Sequence, residues 1–277
     1  MTASIDPKLR ARAARDEITD AAVKAGAIAM RDFRPGERTS SAVNFKRGGS
    51  PVTGADLALD AYLKQRLCAA FPQAGWLSEE TADDAARLEN AELVIVDPID
   101  GTRAFLTGDP RWTVAIAFVS DGRPIAGVVH APALGETYAA ACGCGATHNG
   151  APITIGAAAE RARSLLGGPR AMIETIARTL GVELDVAPRI PSLALRLARV
   201  ADGALDLAFA SAGSHDWDVA AADAILRESG ALLTDAGGEP LRYNGPQTGR
   251  GALVACRAGL PPAYLAAARS ALRQSMA

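Results

Sequence analysis

Leu93-Val94-Ile95-Val96-Asp97-Pro98-Ile99-Asp100-Gly101-Thr102 is the stretch of this 277-residue chain that carries the most chemistry. Its first four residues are apolar and mostly β-branched, and read as a short buried strand. Asp97 then falls at the end of that strand and Asp100 on the turn that leaves it. Pro98 restricts the backbone on either side, so two carboxylates and the carbonyl between them can face one point. Gly101 and Thr102 add a hydroxyl and backbone N–H groups. Hard divalent cations take oxygen ligands, and phosphate takes backbone donors beside a cation; this stretch supplies both. In isolation it would read as an ordinary surface turn, because Asp-Pro and Asp-Gly are common turn formers.

Upstream, residues 7–33 place Leu9, Ile18, Ala22, Ala25, Ala29 and Phe33 near helical spacing, predicting one amphipathic helix that stops at Pro35-Gly36. Residues 35–51 are rich in Gly, Ser, Arg and Lys and read as a mobile loop. Thr53-Gly54-Ala55-Asp56 has capping-box form, a hydroxyl with an acid three residues on, and opens a helix that Pro72 ends. Downstream, residues 113–119, 125–130 and 136–140 read as strands, with Asp121-Gly122 a hairpin signal and Asn149-Gly150 a further turn. The second half alternates. Strands are predicted at 164–166, 182–185, 205–210, 231–234 and 253–256, and helices at 171–180, 192–201, 218–229 and 262–275. Such alternation implies layered α/β packing. An N-terminal α+β domain over 1–150 and a C-terminal α/β domain over 151–277 are expected.

Composition narrows the class. With 49% hydrophobic and 22% charged residues the chain can bury a full core, and a formal net charge of −2 gives no basic excess, so no nucleic-acid partner is expected. No apolar run approaches the roughly 20 residues that span a bilayer. The polar, Arg-rich first 15 residues lack the apolar core of a secretory signal. Four cysteines make no disulfide framework, and Cys142-Gly143-Cys144 lacks a second Cys/His pair at zinc-like spacing. A soluble cytoplasmic protein is the expectation.

Three further blocks change the weight of the first. Ser50-Pro51-Val52-Thr53-Gly54-Ala55-Asp56, Leu77-Ser78-Glu79-Glu80 and Trp217-Asp218-Val219-Ala220-Ala221 flank Asp97-Pro98-Ile99-Asp100-Gly101-Thr102 in a fixed order. Together the four blocks resemble the inositol monophosphatase superfamily, over about Lys46 to Tyr243. The resemblance implies an α/β chain of the inositol monophosphatase and fructose-1,6-bisphosphatase type, an alternating α-β-α-β-α sandwich. It also implies phosphomonoester hydrolysis with two or three Mg²⁺ ions, Mn²⁺ being an alternative, and inhibition by lithium. Carried over by position, Glu79, Asp97 and the Ile99 carbonyl would hold one metal. Asp97, Asp100 and Asp218 would hold a second, and Glu79 would support a weaker third. Asp56 would orient the Thr102 hydroxyl, and the N–H groups of Gly101 and Thr102 would cradle phosphate. A small phosphate ester is the implied partner and a homodimer the implied assembly. By themselves Asp56 and Asp218 would read as helix-capping acids, Glu79-Glu80 as a solvated pair, and Lys46 as a loop charge.

Substrate choice turns on one position. Inositol-specific members usually carry a glutamate seven residues before the Trp-Asp aspartate, and here Ser211 stands there. Ala210-Ser211-Ala212-Gly213 and Leu233-Thr234-Asp235 look closer to 3′(2′),5′-bisphosphate nucleotidases, which act on 3′-phosphoadenosine 5′-phosphate. Inositol-1-phosphatase and histidinol-phosphate phosphatase are the alternatives, and Arg103 with residues 213–216 are candidates to line the substrate pocket. A regulatory member without turnover would have lost a ligand or Thr102, and none is missing.

Overall fold

The structure is a computed structural model that describes residues 6–46, 48–153 and 162–276. Helix α1 (Pro7–Ala29) begins as its residues dictate: Asp6 accepts a hydrogen bond from the Lys8 N–H at 2.9 Å, with proline in the first turn. Its buried face is almost all alanine, with Ile18 at 0% exposure. The helix stops before Phe33, and Leu9 lies outside the core, at 59% exposure. Strands β1 (Val43–Phe45) and β2 (Pro51–Thr53) pair antiparallel, so the segment that reads as a mobile loop contains an ordered ribbon. Helix α2 (Gly54–Ala70) starts at the expected capping box.

The first sheet then forms from β3 (Gly75–Ser78), β4 (Glu92–Asp100), β5 (Thr113–Ser120), β6 (Arg123–Ala131), β7 (Glu136–Ala141), β8 (Gly145–His148) and β9 (Ala151–Pro152), in that order across the sheet. A 3₁₀ turn (Ala85–Glu89) and helix α3 (Thr102–Thr107) bracket β4. All neighbours are antiparallel except β3 and β4. The Asp121-Gly122 and Asn149-Gly150 turns take positive φ at both residues, as hairpin turns of this kind require. The rest of the chain contributes β10 (Ser164–Gly167), α4 (Arg170–Leu180), β11 (Leu184–Val186), α5 (Leu193–Ala201), β12 (Leu207–Ala210), α6 (Asp216–Glu228), β13 (Leu232–Asp235), β14 (Leu253–Cys256) and α7 (Pro262–Met276). The second sheet has the order β11-β10-β12-β14-β13.

Five layers follow from which faces are apolar. In β4, Val94 and Val96 point one way and join Ile18, Leu59, Leu63 and Leu67 of α1 and α2. Leu93 and Ile95 point the other way, into a core shared with Leu195 and Ala198 of α5, Val219 and Ile225 of α6, and Ala208 and Ala255 of the second sheet. The far side of that sheet, through Leu207, Phe209 and Val254, packs against α4 and α7. The result is the α-β-α-β-α sandwich that the family resemblance implies. A strand buried on both faces must be apolar throughout, which is why β4 reads as a continuous run.

Strand β4 is longer than its apolar run. It continues through Asp97-Pro98-Ile99-Asp100, and its register against β5 slips between Asp97, opposite Ala115, and Asp100, opposite Thr113. Asp100 therefore lies in the strand rather than on the turn, and the bulge re-aims the two carboxylates. Helix α6 reaches the sheet because Gly127 on β6 has no side chain. A Cβ there would sit 2.4 Å from the Ala221 carbonyl oxygen and 2.7 Å from the Ala224 methyl. Gly→Ala at an unhindered site stabilises; Gly127→Ala should instead lower stability by about 1–3 kcal/mol, the usual cost of overpacking. Thermal unfolding would show it as a drop in Tm.

Candidate active site

The N-termini of three helices converge on the end of β4, and the site is made from the acids at those ends. Asp56 is the third residue of α2 and fully buried. Its Oδ2 accepts from the Thr53 N–H at 2.7 Å and from the Thr53 hydroxyl, completing the cap. Its Oδ1 lies 3.3 Å from the Thr102 hydroxyl, which also lies 3.1 Å from the Ile99 carbonyl oxygen. Asp218, the third residue of α6, accepts the His215 N–H at 2.5 Å through Oδ2. Asp100 Oδ2 accepts the Ser192 hydroxyl at 2.6 Å and the Ala194 N–H at 2.7 Å, at the start of α5. Each acid thus spends one oxygen on a helix terminus, where backbone N–H groups lack partners and the dipole favours negative charge. The other oxygen is left for the site.

Asp97 differs. It is 1% exposed, and its Oδ1 has no hydrogen-bond partner. One carboxylate oxygen from each of Asp97, Asp100 and Asp218 lies within 4.8 Å of the others. Burial, followed by the charges of Glu79, Asp100 and Asp218, pushes the Asp97 carboxyl far above its ordinary range. Burial likewise raises Asp100, against the bonds from Ser192 and Ala194, and pushes Asp218 up to about 8. Asp56 is pushed up to about 6 by burial, partly offset by the Thr53 bonds. Two unit charges 4 Å apart repel by about 4 kcal/mol at an effective dielectric near 20. A total stability of roughly 5–15 kcal/mol cannot absorb several such pairs. The cluster must therefore hold protons or a cation. An unpartnered buried oxygen and a group of three made of carboxylates alone, with the His215 ring no nearer than 4.0 Å to Asp218, fit a hard divalent ion.

The remaining expected residues are placed around this cluster. Glu79 lies outside the 4.8 Å group; its Oε1 takes the Lys46 ammonium at 2.8 Å, and Glu80 takes it at 2.9 Å. Lys46, which matches a loop lysine of the family and by itself reads equally as a solvated charge, is thus carried to the acids by the β1–β2 ribbon. Gly101 is in the left-handed region at φ 91°, and a Cβ there would meet the Ser192 backbone N at 3.3 Å. This close approach brings the first turn of α3, with its N–H groups, against the start of α5. Ser211 is exposed and lines a cavity of about 520 Å³ together with Gly168, Arg189, Pro191 and Arg196; Pro191 directly precedes Ser192, whose hydroxyl holds Asp100. Arg103 is exposed and does not line it.

Sequence reasoning missed Ser192, Arg189 and Arg196. Ser192 has a legible signal as a helix cap, but its second role on Asp100 joins residues 92 apart in the chain. Among the described residues, Arg196 on α5 has a buried Nε with no partner and one hydrogen bond, 3.4 Å from Nη1 to the Ile190 carbonyl. Nothing in its local sequence distinguishes it from a solvated helix charge.

Three comparisons with known proteins bear on this geometry. The sequence profile of the inositol monophosphatase family matches residues 14–275. The 3′(2′),5′-bisphosphate nucleotidase CysQ of Aggregatibacter actinomycetemcomitans is 33% identical over 213 residues, 74% of this chain and 79% of that protein. An inositol-1-monophosphatase of Mesorhizobium japonicum is 33% identical over 238 residues, 82% of this chain and 88% of that protein. Among solved structures, the extragenic suppressor protein suhB of Bartonella henselae superposes with a TM-score of 0.76 at 28% identity, covering 95% of this chain and 99% of its own.

A carboxylate whose folded pKa exceeds its unfolded value weakens folding as pH rises between the two, because the native state holds the proton longer. For Asp218 that window runs from about 4, the unfolded value, to about 8. In chelator, Tm should fall as pH rises across it. Added Mg²⁺ should reverse the fall, since a ligand that binds only the folded state stabilises it. Asp218→Asn should flatten both responses in a Tm-versus-pH series.

Proposed function

The chain belongs to the inositol monophosphatase family, and from that premise we propose that it is a Mg²⁺-dependent 3′(2′),5′-bisphosphate nucleotidase acting on 3′-phosphoadenosine 5′-phosphate. Hydrolysis of a phosphoric monoester is the activity of the family. The finer reading rests on one observation: the cavity is lined by Ser211, Arg189 and Arg196 rather than by a carboxylate. A bisphosphate substrate brings a second dianion, and guanidinium groups match phosphate oxygens in a planar fork. A glutamate at position 211 would repel that group; a serine does not. The buried, unpartnered Nε of Arg196 is a donor in need of an acceptor.

In this reading Asp97, Asp100, Asp218, Glu79 and the Ile99 carbonyl would hold the metal. Bound there, Mg²⁺ or Mn²⁺ offsets phosphate charge and acidifies a water. The rest is done by the chain. Asp56 and the Ile99 carbonyl fix the Thr102 hydroxyl, which orients the attacking water for in-line displacement. The Gly101 and Thr102 N–H groups hold phosphate oxygens, so most of the rate comes from positioning and electrostatics. Asp56 can serve because its cap to Thr53 uses only one of its oxygens.

Phosphate release on 3′-phosphoadenosine 5′-phosphate, inositol 1-phosphate and histidinol phosphate tests the proposal. The nucleotide should have the highest kcat/KM. Arg196→Leu should lower that value tenfold or more, about 1.4 kcal/mol, and spare inositol 1-phosphate. Ser211→Glu should shift preference toward inositol 1-phosphate. Preference of the unaltered protein for inositol 1-phosphate would replace this reading with that of the Mesorhizobium relative. Thr102→Ala should lower kcat about 10²-fold with every substrate and leave Mg²⁺ binding in place, whereas Asp97→Asn should remove both.

A further inference from the structure

The start of α6, which carries Asp218, is tied down by a segment from the far end of the second sheet. The Asp216 N–H donates to the Thr248 carbonyl at 2.9 Å, the Arg250 N–H to the Ser214 carbonyl at 2.6 Å, and the Gly213 N–H to the Arg250 carbonyl at 3.0 Å. His215 and Gly249 form an antiparallel bridge between these bonds. Side chains lock the same contact. Arg250 pairs with Asp216, whose side chain is 0% exposed, and its guanidinium lies 5.0 Å over the Tyr243 ring while donating to the Arg242 carbonyl. Tyr243 in turn donates to Asp223 at 3.0 Å, and Arg227 pairs with Asp223, both on α6. Arg250 therefore holds the first turn of α6 directly and its third turn through Tyr243.

This matters because of what fixes Asp218. Its Oδ2 is held by the N–H of His215, the residue between Ser214 and Asp216, both of which are bonded to the strap. Only a guanidinium can reach Asp216, the Arg242 carbonyl and the Tyr243 face at once. We propose that Arg250, through its buried pair with Asp216, is a positioning residue that sets the Asp218 carboxylate at the distance from Asp97 and Asp100 that a divalent cation needs. The proposal rests on the reading of those three acids as metal ligands.

Calorimetric titration of the whole chain with MgCl₂ tests it, on Arg250→Met, Arg250→Lys and Asp216→Asn. Arg257→Met is the control, because Arg257 is half-buried like Arg250 and pairs with Asp206, outside the contact that holds α6. The three variants should bind Mg²⁺ about tenfold or more weakly, as groups supporting ligands do when removed, while Arg257→Met loses stability but keeps its Mg²⁺ affinity. The Mg²⁺ concentration for half activity should rise by the same factor, with kcat restored at saturation. Should Arg250→Met fail to fold by circular dichroism, the Lys and Asn variants decide. Unchanged affinity in folded variants, or an equal loss in Arg257→Met, would overturn the positioning role alone. An unaltered protein that takes up no Mg²⁺ would overturn the metal reading with it.

Discussion

Repulsion among the buried carboxylates of Asp97, Asp100 and Asp218, which lie within 4.8 Å of one another, is the term that the surrounding structure has to answer. Side chains free to choose would move apart. Here each is held by a feature that has nothing to do with its charge partner: a strand bulge for Asp97, and the capped ends of α5 and α6 for Asp100 and Asp218. Because the holding bonds use one oxygen each, the other stays available. The site is strained electrostatically and satisfied geometrically, a combination suited to binding a cation rather than to stabilising the fold.

Layering makes that possible. Helix α2 lies on the outer face of the first sheet, while α5 and α6 lie between the two sheets. Their N-termini meet only because β4 extends past its apolar run to the edge where all three begin. Gly127 and Gly101 permit the close approaches involved, one for α6 against β6 and one for α3 against α5. Loss of either would move a helix end by more than the tolerance of an ion site, without touching any acid.

The cavity that Ser211 lines has a different origin. Its walls come from β10, the segment before α5 and the end of β12, so the second sheet supplies the surface that a substrate's distal group would meet. On the proposed reading, chemistry and selectivity are divided between the acid cluster and these loops. That division explains how relatives of equal similarity can carry the names of different phosphatases. On that reading preference would rest on a few side chains such as Ser211, Arg189 and Arg196.

Local chemistry was legible from the chain alone. Capping at Thr53, the Asp121-Gly122 hairpin, the buried run of β4 and the α/β alternation of the second half all depend on neighbours in sequence, and their period or turn type shows directly. Asp97, Asp100 and Asp218, which the fold brings within 4.8 Å of one another, could be named once four short blocks were taken together. What local pattern could not carry was anything joining distant segments. The bulge at Asp97–Asp100, the second role of Ser192 on Asp100, the reach of Lys46 to Glu79, the orphaned Arg196 and the Arg250 clamp on Asp216 each pair residues that no periodicity relates. Each is set by how whole layers dock, and docking is decided by packing across the fold, where one missing side chain, as at Gly127, moves a helix.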